Sequence, residues 1–391
     1  IGSRNSIDLS LEADRLGSDP SLRFHAETRQ PMPVSEILRI AVSLGFPPPA
    51  ALRVESGNAS FQIEGRDLRL KSGRFQIAGQ ADVDTLTLSA PTGAEKVLVS
   101  PLHMKFAGDN IQANRFHLSL PGAGKLEVTE LTASDHPAGF GFQARIRTME
   151  PLQAVRWLDF AGGFGLKLPQ EVQLKNGSFT LTAEIKRAAG SKTMSYSAAG
   201  RLQNARIHCA SLKEDLTVEQ ASFQAEDNRM EIRALQAQWA ETRLRGNLQG
   251  NLTSKGPVVL QFQLQADKVD MDRWSELLDT SPAAEGKGGP SVSGTSDSGW
   301  WKRLRIENGS LAIAEAKSKK IEASDIRILS GMQDRILTIG KLDCRLYGGT
   351  HQGALRLDFH HQKPLFTYQG KGQDMDVGRF LADSTLYRDL L

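Results

Sequence analysis

The chain has 391 residues, of which 39% are hydrophobic and 24% are charged, and it contains 36 glycines. This composition is typical of a globular protein and excludes disorder of the whole chain. The 48 lysines and arginines nearly balance the 45 aspartates and glutamates. Because charges of both signs are spread along the sequence rather than gathered in a basic stripe, we expect no nucleic-acid partner.

Only two cysteines occur, Cys209 and Cys344, which is too few for a disulfide framework or a set of zinc ligands. We expect both to be small apolar residues on strands, with a disulfide between them as the alternative. No run of apolar residues approaches the ~20 that are needed to cross a bilayer. The residues that follow Ile1 do not have the charged flank and apolar core of a signal peptide. Since the chain starts without Met and stops at Leu391 after a helical-looking segment, we expect a fragment whose targeting or anchoring segment was removed.

Four times along the chain, an alternating strand runs into a short amphipathic segment. These segments begin at Pro33, Pro151, Asp270 and Asp374, which are spaced 118, 119 and 104 residues apart. Proline fits the first turn of a helix, and an aspartate side chain can accept hydrogen bonds from the free N–H groups there. The spacing predicts a repeat of about 110 residues with one short helix in each copy.

A second element follows each of the first three predicted helices. It is Ser56-Gly57-Asn58 in the first copy, Asn176-Gly177-Ser178 in the second and Asn308-Gly309-Ser310 in the third. Glycine and asparagine accept positive φ angles, so each element predicts a tight turn or a bulge at the entry to a strand.

Most of the remaining sequence alternates between apolar and polar residues, as in 178–185 and 259–266. This pattern predicts half-buried antiparallel strands, because parallel sheets need long apolar runs and crossover helices. The expected fold is mainly β: an elongated, curved antiparallel sheet, shaped like a groove or taco and built from the repeats with their short amphipathic helices. We expect a repetitive β region over 1–279, a flexible Gly/Ser/Pro-rich loop or linker over 280–299, and a continuing repeat over 300–391.

The last part of the chain resembles a known family. A Tyr-Gly-Gly turn at Tyr347-Gly348-Gly349, a glycine-anchored strand, and a short helix introduced by Asp374-Met375-Asp376 follow one another in that order. In this order they resemble the C-terminal repeat of the AsmA-like family of bacterial envelope proteins, and 269–274 resembles an earlier copy. The resemblance extends over residues 170–391 and is weaker before them.

The resemblance implies a periplasmic protein that an N-terminal helix tethers to the inner membrane. It also implies a long curved sheet whose concave apolar groove holds lipid chains, in a protein involved in phospholipid transport between the inner and outer membranes or in outer-membrane assembly. The implied partners are phospholipid acyl chains, the membrane through a missing tether, and other envelope proteins. An alternating antiparallel sheet fits such a groove, since its apolar face needs a cover.

We therefore expect a passive lipid-binding segment without catalytic residues, cofactor or metal. The rival hypothesis is a structural or interaction scaffold, in which a closed β-sandwich core buries the alternating faces against each other and a protein partner in envelope biogenesis is bound. The groove-lining candidates are Phe179, Leu181, Ile185, Leu260, Phe262, Leu264, Leu311 and Ile313.

Three motifs have simpler explanations than a chemical site. The paired aspartates, Asp270 with Asp272 and Asp374 with Asp376, could bind a divalent cation, but helix capping explains them better. The segment 122–125 contains Gly-Ala-Gly-Lys but lacks the spacing and the following helix of a phosphate-binding loop, so it predicts a hairpin turn. We expect the two tryptophans at positions 300–301 to pack on the next strand, and their insertion into a membrane interface is the alternative.

Overall fold

A computed structural model gives the fold, and the described residues are 6–14, 21–43, 53–69, 74–90, 95–108, 110–136, 139–163, 172–191, 193–210, 212–251, 257–277, 303–319, 321–360 and 365–383. The predicted mainly β class is confirmed, because the 22 described strands belong to one sheet. The chain divides into two compact units. The first comprises Ile1–Leu168 and Ser178–Gly200, and the second comprises Pro169–Gly177 and Arg201–Leu391.

The first unit is an antiparallel succession of strands in which β6 and β7 share the space between β5 and β8. Its strands are β1 (Ile7–Asp14), β2 (Ser21–Thr28), β3 (Met32–Pro33), β4 (Arg53–Arg69), β5 (Arg74–Ser89), β6 (Lys96–Ser100), β7 (Leu102–Ala107), β8 (Asn110–Leu120), β9 (Gly124–His136), β10 (Gly139–Thr148) and β11 (Leu152–Gln153). The strands β12 (Val172–Arg187) and β13 (Ser195–Cys209) contribute residues to both units.

The second unit is also a succession of mostly antiparallel strands. Its strands are β14 (Leu216–Glu226), β15 (Arg229–Trp239), β16 (Thr242–Asn251), β17 (Val258–Asp270), β18 (Leu304–Ser318), β19 (Ile321–Gln333), β20 (Ile336–Leu346), β21 (Gly349–Asp358) and β22 (Leu365–Gln373). Neighbouring strands in this series pair antiparallel, except that β17 and β18 pair parallel. The long connection between these two strands allows the exception, because parallel neighbours need a crossover of a dozen residues or more.

The expected linker at 280–299 and the tryptophans at 300–301 lie outside the described residues. The strands on either side of the expected linker, β17 and β18, are paired to each other within the second unit. The division between the compact units falls earlier, around residues 169–200.

The four predicted helices are present, with small corrections to where they begin. They are α1 (Val34–Ser43), α2 (Ala154–Gly162), α3 (Met271–Leu277) and α4 (Val377–Asp383). The two prolines do not lie in a first helical turn, because Pro33 belongs to the two-residue strand β3 and Pro151 precedes the similar strand β11.

Aspartate caps α3 and α4, but at different positions of the Asp-x-Asp pair. The backbone N–H of Arg273 donates to Asp270 Oδ1 at 2.9 Å, as predicted for α3. In α4 the capping residue is Asp376, which accepts from Arg379 N at 2.9 Å, while Asp374 adopts a φ of 56° in the turn before the helix. The prediction that α4 begins at Asp374 is therefore wrong by three residues.

The first two copies of the repeat share details of their hydrogen bonding. Thr28 Oγ1 accepts from Phe61 N at 3.0 Å, and Thr148 Oγ1 accepts from Leu181 N at 3.1 Å. Each threonine ends the last long strand before a helix, and each bond reaches the long strand that follows the helix. This correspondence supports the repeat that the sequence predicts.

The repeated glycine elements lie within strands rather than in turns, and the first and third of them are bulges. The β4–β5 register shifts between Gly57 and Ala59, and the β18–β19 register shifts between Ile306 and Gly309. Gly57 and Gly177 have φ angles of +146° and +134°, which residues with a Cβ rarely adopt. A positive φ therefore explains the glycine in the first two copies, whereas Gly309 has no positive φ and lies under the Phe262 ring.

We predict that Gly177→Ala lowers the free energy of unfolding by about 1–3 kcal/mol. The new Cβ would lie 2.9 Å from the Cα of Ala205, which is fully buried, and the backbone would keep a φ that alanine disfavours. Urea denaturation followed by circular dichroism measures the change.

The control for this prediction is Gly340→Ala, because a Cβ at Gly340 would meet nothing within 4 Å and its φ is not positive. We expect the control to change stability by no more than about 0.5 kcal/mol. Equal losses in the two variants would contradict the proposed origin of the effect.

Candidate functional site

The sheet of the second unit carries one apolar face, defined here by the strand registers. Directly paired residues place their side chains on the same face of a sheet. One line of paired residues crosses nine strands, from β14 to β22, and we call it the open row. It consists of Phe223, Ile232, Leu248, Phe262, Gly309, Ser330, Ile339, Leu355 and Tyr368.

The apolar side chains of the open row are not buried. Phe223, Ile232, Leu248, Phe262, Ile339 and Leu355 are half-buried, and Tyr368 is exposed. The Phe262 ring lies directly over Gly309, where a Cβ would come within 2.6 Å of it. The row therefore presents a nearly continuous line of aliphatic and aromatic groups that the described residues do not cover completely.

Burial increases along the same face toward α3. Ala266, Ile313 and Ile326 pair with one another four residues along their strands from the open row, and they are only 6–7% exposed. Together with Val269 they form a core cluster against which Trp274 of α3 packs. One end of the apolar face thus has a helical cover.

Specific contacts hold α3 in this position. The Trp274 ring lies 5.0 Å from the ring of Trp239, and its indole N–H donates to Thr242 Oγ1 at 3.1 Å. Arg273 forms an ion pair with Glu214. Asp272, the second residue of the Asp-x-Asp pair, accepts hydrogen bonds from Ser318 Oγ and Lys319 N at the β18–β19 turn. Both aspartates of this pair are therefore engaged in structural hydrogen bonds.

The first unit has the same arrangement around α2. Trp157 packs with Leu152, Leu120 and Val97 in a core cluster, and its indole N–H donates to the Ala123 carbonyl at 3.0 Å. Further from α2, the apolar face continues in rows that reach the strand β1. One such row consists of Leu9, Ala26, Ile63, Gly79, Phe106, Ile111, Ala133 and Phe142.

An ion pair fixes α2 to the sheet. Arg156 donates to Glu95 through Nε at 2.8 Å and through a terminal nitrogen at 2.6 Å, and it also contacts the Pro121 carbonyl. The hydrogen bond from Arg156 lowers the pKa of Glu95 below its ordinary value and outweighs the opposing effect of partial burial. Glu95 is therefore charged throughout the neutral range.

The opposite face of the sheet is polar and charged. Arg145 forms ion pairs with Glu130 and Glu184 on the two neighbouring strands, at 2.8 and 3.0 Å. Glu127 is only 3% exposed and pairs with Arg147, whose hydrogen bond lowers the pKa of this carboxyl. Because charged side chains cover this face, the other face is the candidate for an apolar ligand.

The structure divides the predicted groove residues into two groups. Phe179 pairs with Leu152 and packs against the cluster under α2, while Ile313 is 7% exposed and Leu311 packs beside it in the cluster under α3. These three residues contribute to packed cores.

The other five predicted residues lie on the less covered parts of the apolar faces. Leu260, Phe262 and Leu264 follow one another on one face of β17, and all three are half-buried. Leu181 and Ile185 are half-buried on β12, on the same face as Phe179. Ile185 pairs with Ala144 of β10, away from α2.

Sequence reasoning missed the other residues of the open row, including Ile232, Leu248, Ile339 and Leu355. Ile232 and Leu248 alternate with polar neighbours in their own strands, which is the signal that could have found them, whereas Ile339 and Leu355 each have only one polar neighbour. Only the register between strands aligns them with Phe262, and alternation within single strands does not supply that register.

Neither cysteine has the features of a reactive nucleophile. Cys209 and Cys344 are both free and half-buried. Burial raises the pKa of each thiol above its usual value, and a nearby aspartate adds to the effect in both cases. Thiols with raised pKa values react poorly as nucleophiles. Within the described ranges, no group of three or more His, Cys, Asp and Glu side chains could hold a metal ion.

The chain matches no protein-family model, no curated protein and no solved structure. The similarity to the AsmA-like family therefore stays a prediction from the sequence motifs. Among the described residues, none of the helices has the length and apolar character needed to cross a membrane.

We predict that acid weakens the attachment of α2 through Glu95. The folded-state pKa of Glu95 lies below its unfolded value, so its contribution is present at neutral pH and is lost as the pH falls through the folded-state pKa. Urea midpoints between neutral pH and about pH 3 should fall more steeply in the wild type than in Glu95→Gln.

Glu12→Gln is the matched control for this pH prediction, because Glu12 is an exposed carboxylate on the edge strand β1. We expect this variant to follow the wild-type pH dependence. An identical pH dependence for wild type and Glu95→Gln would show that the Arg156 pair does not stabilise the fold.

Proposed function

We propose that this chain is a non-catalytic lipid-binding segment whose apolar sheet face accommodates phospholipid acyl chains. The observation that carries the proposal is the open row, which crosses nine strands and has an aliphatic or aromatic side chain on seven of them, on a sheet whose opposite face is polar. An uncovered apolar surface of this extent is typical of an interaction site.

The physical basis of binding is burial of hydrocarbon. Each methylene group that leaves water for an apolar surface contributes about 0.8 kcal/mol. A chain lying along residues such as Leu248, Phe262 and Ile339 would bury many methylene groups, while its head group stays hydrated. Such binding needs no nucleophile, metal or cofactor.

The biological role follows from the resemblance to the AsmA-like family. In this proposal the segment lies in the periplasm of a protein anchored in the inner membrane, and it moves phospholipids between the inner and outer membranes or supports outer-membrane assembly. The helices α2 and α3 cover one end of each apolar face, which supports an arrangement in which the uncovered rows receive the lipid.

We predict that protein purified from bacterial cells carries phospholipid, detected by native mass spectrometry and by lipid extraction. Phe262→Asp and Leu355→Asp should each lower the bound lipid about tenfold or more, because a carboxylate on the apolar face must be desolvated when an acyl chain binds. Circular dichroism and urea midpoints confirm that the variants remain folded.

The matched control is Leu329→Asp. Leu329 is 51% exposed on β19 and alternates with Ile328, so it faces the polar side of the same sheet. This variant should keep the lipid of the wild type. Lipid-free, monodisperse wild-type protein would overturn the proposal and favour the scaffold hypothesis, and equal lipid loss in all three variants would show that the apolar face is not the site.

A further inference from the structure

One charged side chain ends an otherwise apolar row in the first unit. The row that runs from β1 to Phe142 of β10 continues by one more pair, because Phe142 pairs with Arg187 of β12. The preceding residues of β12 on this face, Leu181, Ala183 and Ile185, are apolar. Directly paired residues share a face of the sheet. Arg187, which is half-buried, therefore lies on the apolar face rather than among the ion pairs of the opposite face.

Arg187 is the last residue of β12, at the end of the strand away from α2. It follows Phe179, which packs in the cluster under α2, by eight residues. A strand rises ~3.3 Å per residue, so the two positions are about 26 Å apart. The hydrocarbon core of a bilayer is about 30 Å thick and contains two layers of acyl chains, so one chain needs about half of that length. The apolar stretch of β12 is therefore long enough for an acyl chain whose polar end lies at Arg187.

A cavity of about 440 Å³ lies at the same ends of these strands. Residues of both faces line it, because it includes Phe142 with its neighbour Gln143, and Arg187 with its neighbour Lys186. Lys186 forms an ion pair with Glu184 at 3.2 Å. Among the described residues no aspartate or glutamate lines the cavity, and most of its polar groups are amides and hydroxyls. The lining therefore has the charge and the hydrogen-bonding groups that suit an anion.

We propose that Arg187 binds the phosphate group of a lipid whose acyl chains lie on the apolar face of the first unit, an assignment that rests on the proposed lipid binding. A guanidinium group can donate two parallel hydrogen bonds to phosphate oxygens. The hydrocarbon stem of an arginine packs on apolar surface while its charged end stays in polar surroundings. Arg187 thus has the same division into an apolar and a charged part as the lipid.

The phosphate contact gives the first unit a preference among lipids. A phospholipid satisfies both the apolar residues and Arg187, whereas a diacylglycerol satisfies only the apolar residues. An uncharged lipid over Arg187 would remove water from the guanidinium group without replacing its hydrogen bonds, which costs free energy. The open row of the second unit has no charged residue, so we expect no such preference there.

Photocrosslinking gives a readout that is local to the first unit. Phe142→benzoylphenylalanine places a photoreactive ring beside Arg187 in the same row. The full chain is mixed with detergent-dispersed phosphatidylglycerol, or with diacylglycerol of the same acyl chains, and is irradiated. Mass spectrometry then counts the captured lipid. We expect about tenfold or more capture of phosphatidylglycerol over diacylglycerol, because only the phosphate forms charge-assisted hydrogen bonds with Arg187.

Arg187→Gln in this background should lower the capture of phosphatidylglycerol about tenfold and leave that of diacylglycerol within about twofold. Arg187→Lys should keep part of the preference, because lysine retains the charge but not the planar fork. The control is Lys105→Gln, which removes the same charge from the exposed polar face of β7, where Lys105 alternates with Met104 and Phe106. It should capture both lipids as the parent does, and circular dichroism confirms that each variant is folded.

Equal capture of the two lipids, unchanged by Arg187→Gln, would overturn the phosphate assignment and leave lipid binding on the apolar face intact. Capture of neither lipid by the parent would overturn the proposal and remove the first unit from the proposed function. Titration calorimetry with inorganic phosphate distinguishes a lipid head group from a free anion. We expect no binding of inorganic phosphate below millimolar concentration, and tight binding that Arg187→Gln abolishes would assign Arg187 to a free anion instead.

Discussion

The alternation of apolar and polar residues over a continuous ladder of strands is the constraint on which the rest of the structure depends. A strand places successive side chains on opposite faces, so a slip of one residue would exchange the two faces along its whole length. Near Gly57 the register shifts and is restored within a few residues, and near Gly309 the extra residue offsets β18 by one position for the rest of its length. Directly paired residues still share a face on both sides of each bulge, as Ile306 does with Leu260 and Gly309 with Phe262. As a result, Phe223 of β14 and Leu355 of β21 lie in the same row although six strands separate them.

The short helices cover part of the apolar face that such a sheet would otherwise expose to water. An antiparallel sheet can leave one face in water, but an apolar face needs a cover. In each unit a tryptophan from a short helix, Trp157 or Trp274, supplies this cover at one end of the face and anchors itself through its indole N–H. The helices are too short to span the strands, since α3 has seven residues beside the 13-residue strand β17. The cover is therefore partial, and the open row follows from that difference in length.

Features encoded by local chemistry could be predicted from the sequence, and features encoded by pairing could not. Strand alternation indicated the β class, and proline or aspartate at repeated spacing placed each helix to within three residues. The positive φ of Gly177 was predictable because its sequence neighbours favour it. The parallel pairing of β17 with β18 was not, because a register between strands depends on contacts between distant residues. For the same reason the sequence pattern could not separate Ile313, which is buried under α3, from Phe262, which lies in the open row.

The chemistry of the open row determines which kind of partner it can accept. Apart from Ser330 and Tyr368, its residues present carbon atoms without hydrogen-bonding side-chain groups, so hydrocarbon satisfies them and a polar chain does not. The two hydroxyl groups have partners within the sheet: Ser330 Oγ donates to the Gly309 carbonyl, and the Tyr368 hydroxyl contacts His351 while the Tyr368 ring covers Gly353. An acyl chain on the row would therefore leave neither hydroxyl group without a hydrogen-bond partner.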